Sequence, residues 1–106
     1  MTEQLDAKDA KLVVLARAAM ARADADSAAA VRDVDGRTYA AGPVRLSTLE
    51  LTALQATVAA AVSGGTTRIQ VAVLVAGSVD DPGIAAVREL SPTAVVIVTD
   101  SAGSPL

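Results

Sequence analysis

Two apolar runs in the second half of the chain constrain its fold more than any other feature of the sequence. Residues 69–76 are apolar except for Gln70, and residues 94–99 form a second run that ends at Thr99. Unbroken apolar runs of this length are typical of strands buried on both faces, as in a parallel sheet. Parallel strands need a crossover connection, so the sequence predicts an α/β fold whose sheet is covered on its faces.

The segment between these runs is predicted to supply that crossover as a short helix. Asp81 is expected to cap it, and Pro82 occupies the first helical position, where its missing N–H costs nothing. The helix has an apolar face of residues at helical spacing, namely Ile84, Val87 and Leu90. Ser91-Pro92 ends the helix, and the strand–helix–strand unit should be right-handed.

The first part of the chain predicts a helix followed by a hairpin. Asp6 is expected to cap a helix over residues 6–23. Its apolar face is formed by Leu12, Leu15, Ala16, Ala19 and Met20. Residues 28–34 and 37–41 are predicted strands, and the Asp35-Gly36 pair between them predicts a two-residue turn with positive φ at both positions.

A central helix is predicted to begin at Ser47, because Ser47 and Glu50 have the spacing of a capping box. It should run to about Val62 and end at the glycines of residues 63–65. One face is formed by Leu51, Leu54, Val58 and Ala61, and the opposite side is also apolar, with Leu49, Ala53, Ala56 and Ala60. A helix that is apolar nearly all round is covered on more than one side. We therefore interpret the second set as an oligomer face of a homodimer or homotetramer.

The predicted order is α-β-β-α-β-α-β in one domain over residues 1–106, with flexible tails at about 1–5 and 101–106. Two segments of the chain are similar in amino-acid sequence to a known family. Residues 29–39, Ala-Ala-Val-Arg-Asp-Val-Asp-Gly-Arg-Thr-Tyr, resemble the hairpin of the cytidine deaminase-like superfamily. Residues 51–65 resemble the zinc-binding helix of that superfamily and the loop after it. The resemblance implies a three-layer sandwich with a mixed sheet.

The resemblance also implies a zinc site that this chain does not reproduce. In these deaminases, His or Cys side chains hold zinc and a Glu moves protons. In this chain, Thr52 stands at the position of the first zinc ligand and Leu54 at the position of the Glu. The two thiolate positions fall near Asp80 and Gly83. Residues 42–45 also lack the ribose-contacting Asn and Glu that the resemblance implies. Deamination needs a metal that lowers the pKa of its attacking water far below its ordinary value, toward about 7, so we expect a degenerate, catalytically inactive member.

Composition excludes several classes of function. The chain has no His and no Cys, so it offers neither imidazole nor thiol chemistry, and no metal or other cofactor is expected. The formal net charge is −3, the only aromatic residue is Tyr39, and the basic residues are scattered, which argues against nucleic-acid binding. No segment has the pattern of a signal peptide or a membrane span, so we expect a cytoplasmic protein.

The remaining polar candidates each have an ordinary structural interpretation. Glu50 could be taken for a shifted proton shuttle, but the capping box explains it. The Asp80-Asp81 pair fits a helix start better than a cation site. Residues 99–101 are interpreted as a polar turn, since no base could activate a hydroxyl there. Residues 63–67 follow a helix, whereas phosphate loops follow a strand.

Three hypotheses for function remain open. The first is a non-catalytic, self-associating deaminase-like module that acts through protein contacts, with a possible further protein partner. The second is a binding protein for a nucleoside or small metabolite in the vestigial pocket. The third is an enzyme with relocated chemistry, or one resembling cytidine deaminase without zinc-dependent activity.

Overall fold

A four-stranded mixed sheet organises the chain, whose residues 5–106 are described by a computed structural model. The helices and strands in chain order are α1 (Ala7–Arg22), β1 (Ala28–Asp33), β2 (Thr38–Ala41), β3 (Val44–Arg45), β4 (Glu50–Leu51), α2 (Ala53–Ser63), β5 (Ile69–Val75), α3 (Gly83–Leu90) and β6 (Val95–Thr99). The strand order is β2-β1-β5-β6, and β3 pairs separately with β4. The predicted α/β class and mixed sheet are confirmed.

The two apolar runs form the parallel pair that the sequence predicted. β5 and β6 pair in register from Val71↔Val95 to Val75↔Thr99. β1 runs antiparallel to both of its neighbours, β2 and β5. The helix α3 connects β5 to β6, so the carboxyl ends of both parallel strands lie at one edge of the sheet, where α/β folds place their ligand sites.

Two hydrophobic cores cover the two faces of the sheet. Alternate residues of a strand point to opposite faces. Ala28 and Ala30 of β1 therefore pack with α1, while Ala29 and Val31 pack with α2. These four side chains are fully or almost fully buried. The chain thus forms the three-layer sandwich that the resemblance implied, with α1 on one side and α2 and α3 on the other.

The first helix agrees closely with the prediction. Asp6 caps it, because its Oδ1 accepts a hydrogen bond from the Asp9 amide at 2.9 Å. Leu12, Ala16 and Ala19 are buried, whereas Leu15 is partly exposed. None of the helices within residues 5–106 is long and apolar enough to cross a membrane.

The hairpin between β1 and β2 differs from the predicted two-residue turn. Only Gly36 has a positive φ, of 87°, and the Gly36 amide donates to the Asp33 carbonyl at 3.1 Å. The Asp33 amide donates to the Arg37 carbonyl at 2.9 Å. The connection is therefore a three-residue loop with a left-handed glycine at its end. The Asp33 side chain favours this longer loop, because its Oδ1 accepts from the amides of Asp35 and Arg37.

The central helix begins later than predicted, and the proposed capping box at Ser47 and Glu50 is wrong. The capping box is formed by Thr52 and Gln55: Thr52 Oγ1 accepts from the Gln55 amide at 3.1 Å, and Gln55 Oε1 accepts from the Thr52 amide at 2.9 Å. Glu50 instead lies exposed on β4, paired with Arg45 of β3. The same spacing signal occurs twice, and strand pairing decides which copy caps the helix.

The predicted tails also need correction. Residues 1–4 lie outside the described part of the chain, but Leu5 packs against the core beneath α1. The last six residues fold back instead of fraying. Thr99 forms a bridge with Pro105, and the Leu106 amide donates to the Val98 carbonyl at 3.0 Å. Asp100 closes the turn by accepting from the amides of Ala102 and Ser104, which confirms the polar-turn interpretation of residues 99–101.

Candidate functional site

The amino ends of α2 and α3 meet beside the carboxyl end of β5. This meeting point brings together three of the four predicted site positions: Thr52 immediately before α2, Leu54 in its first turn, and Gly83 at the start of α3. Asp80, the fourth, is exposed. Its amide donates to Ser78 Oγ at 3.0 Å within the loop that precedes α3.

Leu54 and Gly83 are in direct contact at the centre of this region. Leu54 is 0 % exposed. A Cβ atom placed on Gly83 would lie 2.8 Å from both Cβ and Cγ of Leu54, and 2.9 Å from the backbone nitrogen of Gln55. Real Cβ atoms do not approach other atoms so closely. The two positions are therefore filled by a hydrophobic contact, with no room between them for a ligand.

Thr52 and Asp81 lock the same two helices together through polar contacts. Thr52 Oγ1 donates to Asp81 Oδ1 at 2.8 Å, and that same oxygen accepts from the Gly83 amide at 2.7 Å. Asp81 therefore serves the start of α3, as expected, although α3 begins at Gly83 and Pro82 is its capping residue. The bond between Thr52 and Asp81 joins residues 29 positions apart, for which the sequence carried no local signal.

The donor atoms at the four positions do not fit zinc. Zinc in proteins is held by thiolate, imidazole or carboxylate groups. Thr52 provides only a hydroxyl that is already engaged, and Leu54 and Gly83 provide no side-chain donor at all. Asp80 has a carboxylate, but it lies exposed in the loop before α3, and one carboxylate does not make a zinc site. Within residues 5–106, no group of three or more His, Cys, Asp or Glu residues is placed to hold a metal ion. No chemical step can be derived through a metal at this site.

A shallow polar cavity of about 390 Å³ lies beside the hydrogen bond between Thr52 and Asp81. It is lined by Asp26, Ser27, Arg45, Thr52, Ala53, Ala76, Gly77, Ser78 and Asp81. At its edge, Arg45 Nη2 lies 3.5 Å from Asp26 Oδ1, and both side chains are largely exposed. The cavity has hydroxyl, carboxylate and guanidinium groups, so it could hold a small polar molecule. Its lining contains no imidazole or amine that could act as a base, so its hydroxyls are not activated as nucleophiles.

The predicted oligomer face does not exist as one surface. Because α2 begins at Ala53, Leu49 lies before the helix and is exposed near the β3–β4 turn. Ala53 is buried, Ala56 is half-buried and Ala60 is exposed. The reason is that α2 packs against β1 and β2 on one side and α3 on another, which covers Ala53. The exposed apolar residues of α2 are Ala59, Ala60 and Val62, which we call the outer α2 surface.

A buried carboxylate that the sequence analysis did not single out joins the hairpin to the loop after α2. Asp33 is 1 % exposed, and its Oδ2 accepts from Thr66 Oγ1 at 2.8 Å and from Arg37 Nε at 2.9 Å. Arg37 Nη1 also donates to the Gly64 carbonyl at 3.2 Å. The stretch first considered as a phosphate loop is thus a structural connection. In the sequence, the feature that could have indicated this buried carboxylate is the spacing of four residues between Asp33 and Arg37, which lie on either side of the turn.

These contacts shift the ionisation of Asp33. Burial alone would raise the pKa of its carboxyl, but the hydrogen bonds from Thr66 and Arg37, together with the Arg37 charge, outweigh burial and lower the pKa below its ordinary value. The ionised carboxylate therefore stabilises the fold above the unfolded-state pKa of about 3.9. That contribution is lost as the pH falls through the lower pKa of the folded state.

We expect the Asp33→Asn variant to be less stable than the parent protein at neutral pH and to lose less stability on acidification. The amide has one acceptor oxygen where the carboxylate has two, so its NH2 group would face either the donors on Oδ2, from Arg37 and Thr66, or the backbone amides on Oδ1, and it does not titrate. Urea unfolding at pH 7 and at pH 3.5 measures both effects. Asp35→Asn, at an exposed position in the same loop, is the matched control. Equal behaviour of the two variants would contradict the assignment.

The layered fold places the chain in the class of three-layer α/β domains with a mixed central sheet. The sequence model of the cytidine deaminase-like family matches residues 5–103. The chain belongs to the cytidine deaminase-like family.

Solved structures agree with this assignment at the level of the fold. The chain is similar to the crystal structure of cytidine deaminase from Mycobacterium leprae, with a TM-score of 0.70 and 16 % identity over 95 % of this chain and 93 % of that one. It is also similar to a Glu-to-Gln mutant of cytidine deaminase from Mycobacterium tuberculosis, with a TM-score of 0.66 and 23 % identity over 90 % of this chain and 85 % of that one. None of the curated proteins matches the chain.

Proposed function

We propose that this protein is a non-catalytic member of its family that acts as a self-associating module through protein contacts. The observation that carries the proposal is the contact between Leu54 and Gly83. Residue by residue, the resemblance assigns the proton-shuttling Glu to the first position and a zinc thiolate to the vicinity of the second. Here a buried leucine packs on a glycine instead.

The chemistry of deamination supports the same proposal. The reaction needs a metal-activated water and a carboxylate to move protons. The nearest carboxylate, that of Asp81, already accepts hydrogen bonds from Thr52 and Gly83. These two hydrogen bonds let the Asp81 carboxylate hold the starts of α2 and α3 together, so its removal would disturb both helix starts. We therefore assign this region to fold stability.

A direct assay tests the absence of catalysis. We expect no loss of cytidine absorbance when the purified protein is incubated with cytidine, with or without added Zn²⁺. We also expect no zinc in the protein after dialysis, by elemental analysis. Turnover that is abolished by a metal chelator would overturn the proposal.

The outer α2 surface supports self-association. Ala59, Ala60 and Val62 are exposed, and small side chains allow a partner helix to approach closely. The chain is small and its core is built without Phe or Trp, so burying more apolar surface in an assembly would add stability.

We expect Ala60→Glu to shift the protein from a dimer or tetramer to a monomer, because it places a charge in the proposed contact. Size-exclusion chromatography with light scattering measures the mass. Ala18→Glu, at an exposed position of α1, is the matched control and should leave the mass unchanged. A parent protein that is monomeric at high concentration would contradict the self-association.

The polar cavity favours a second candidate function, the binding of a nucleoside or small metabolite. Arg45 and Asp26 bring charged groups to its lining, and Thr52 and Ser78 bring hydroxyls. A thermal-shift screen with nucleosides and nucleotides tests it. Stabilisation that disappears in Arg45→Gln would support this function, and no stabilisation at about millimolar ligand would exclude it.

A further inference from the structure

A second cavity, of about 370 Å³, lies on the opposite side of the sheet from the site described above. We call it the α1 cavity. Lys8 and Lys11 of α1 line it, together with Arg32 of β1 and Gly36 and Thr38 of the hairpin. Leu12 and Leu15 add an apolar surface. Arg32, Gly36 and Thr38 belong to the hairpin that resembles the family, but none of the lining residues is one of the zinc-site positions Thr52, Leu54, Asp80 and Gly83.

The α1 cavity concentrates positive charge in a chain whose formal net charge is −3. It is lined by three cationic side chains and by no carboxylate. Lys8 and Lys11 form no ion pair within residues 5–106, and both are exposed. Asp9, just outside the lining, neutralises only the Arg32 guanidinium. The lysines therefore remain available to a negatively charged ligand.

Arg32 is fixed in position but is not fully satisfied. Its Nη2 donates to Asp9 Oδ1 at 3.0 Å, and its Nε donates to Gln70 Oε1 at 2.9 Å. Its Nη1 is buried and has no hydrogen-bond partner among the described residues. A guanidinium stays charged at all ordinary pH values. An unpartnered buried donor of this kind is unfavourable and calls for a bound water, ion or ligand group.

We propose that the α1 cavity binds an oxyanion, either a phosphate group or a carboxylate carried by a small molecule. Arg32 Nη1 would donate to one of its oxygens, and the ammonium groups of Lys8 and Lys11 would neutralise its charge. Leu15, which is partly exposed, would contact the apolar part of the ligand. Nη1 is enclosed in the structure, so binding requires a rearrangement that exposes it to the cavity.

Nuclear magnetic resonance titration of the whole protein tests the proposal. Inorganic phosphate and acetate would be added separately, each against sodium chloride at matched ionic strength. We expect saturable shifts of the Gly36 and Thr38 amides and of the Arg32 Nε–H signal. Saturation by both anions supports a general oxyanion site. Saturation by phosphate alone or acetate alone identifies which group the cavity prefers.

A charge-matched pair of variants separates a built site from general attraction. Lys8→Gln/Lys11→Gln should weaken binding about tenfold, which corresponds to about 1.4 kcal/mol. Arg17→Gln/Arg22→Gln removes the same charge from α1 outside the cavity and should leave binding unchanged. An equal loss in both pairs would overturn the proposal. Absence of saturation by either anion up to about 50 mM would overturn it as well.

Discussion

Leu54→Glu is expected to lower the free energy of unfolding by about 3–5 kcal/mol. The leucine is fully buried and lies against the Gly83 backbone, so a carboxylate there would lose its water without gaining a partner. Domains of ordinary stability have about 5–15 kcal/mol in total, so this single change removes a large part of it. The variant restores the residue type that the resemblance assigns to this position, yet it should harm the protein.

The pH dependence of the destabilisation and a conservative variant at the same position distinguish the burial of a charge from a general loss of packing. Burial would raise the pKa of the introduced carboxyl, so the destabilisation should grow as the pH rises above about 4.3 toward neutrality. Leu54→Met keeps the volume and the apolar character, and should cost less than about 1.5 kcal/mol. Urea unfolding at pH 4 and pH 7.5 measures both variants. A Leu54→Glu variant as stable as the parent would show that the region is open to water.

Gly83→Ala should be destabilising by about 2 kcal/mol, although alanine is ordinarily the better residue in a helix. Helix propensity alone favours alanine by about 1 kcal/mol. The added Cβ, however, would lie 2.8 Å from Leu54 and 2.9 Å from the Gln55 backbone nitrogen. Forcing a methyl group into a filled core costs about 1–3 kcal/mol. Because one of the clashing atoms belongs to the backbone, a rotamer change cannot relieve the contact.

Whether Gly83→Ala stabilises or destabilises the protein tests the close packing of Gly83 against Leu54. Thermal or urea unfolding of Gly83→Ala gives the sign of the effect directly. Ala85→Gly, at an exposed position of the same helix, measures the ordinary propensity difference between these two residues in α3. If Gly83→Ala stabilised the protein by the amount that Ala85→Gly destabilises it, the close contact with Leu54 would be refuted.

These variants also test how far the fold depends on the contact between α2 and α3. The sheet and its two cores are built from apolar residues outside the site, such as Val31 and Val73. Those cores do not need zinc, because each is closed by helix packing on the sheet. The Leu54–Gly83 contact and the Thr52–Asp81 hydrogen bond then join α2 to α3.

The fold class, the parallel pair β5–β6 and the Asp6 cap followed from the sequence, whereas α3 is capped by Pro82 and not by Asp81. Each depends on a local signal, either an apolar run, a helical spacing or a capping residue. The absence of imidazole and thiol groups was likewise fixed by composition. What the sequence by itself determined was therefore which segments become helices and strands, and which chemistries have no side chain to perform them.

The tertiary structure decided everything that depended on a choice between distant partners. Ser47 and Glu50 had the same capping pattern as Thr52 and Gln55, and pairing of β3 with β4 selected the second. The four residues predicted as one oligomer face were separated for the same reason, since residues 48–52 of the expected helix became turn, strand and capping residue. Contacts between Asp33 and Thr66, or between Leu54 and Gly83, join positions about thirty residues apart. Such contacts arise only when packing brings whole elements together.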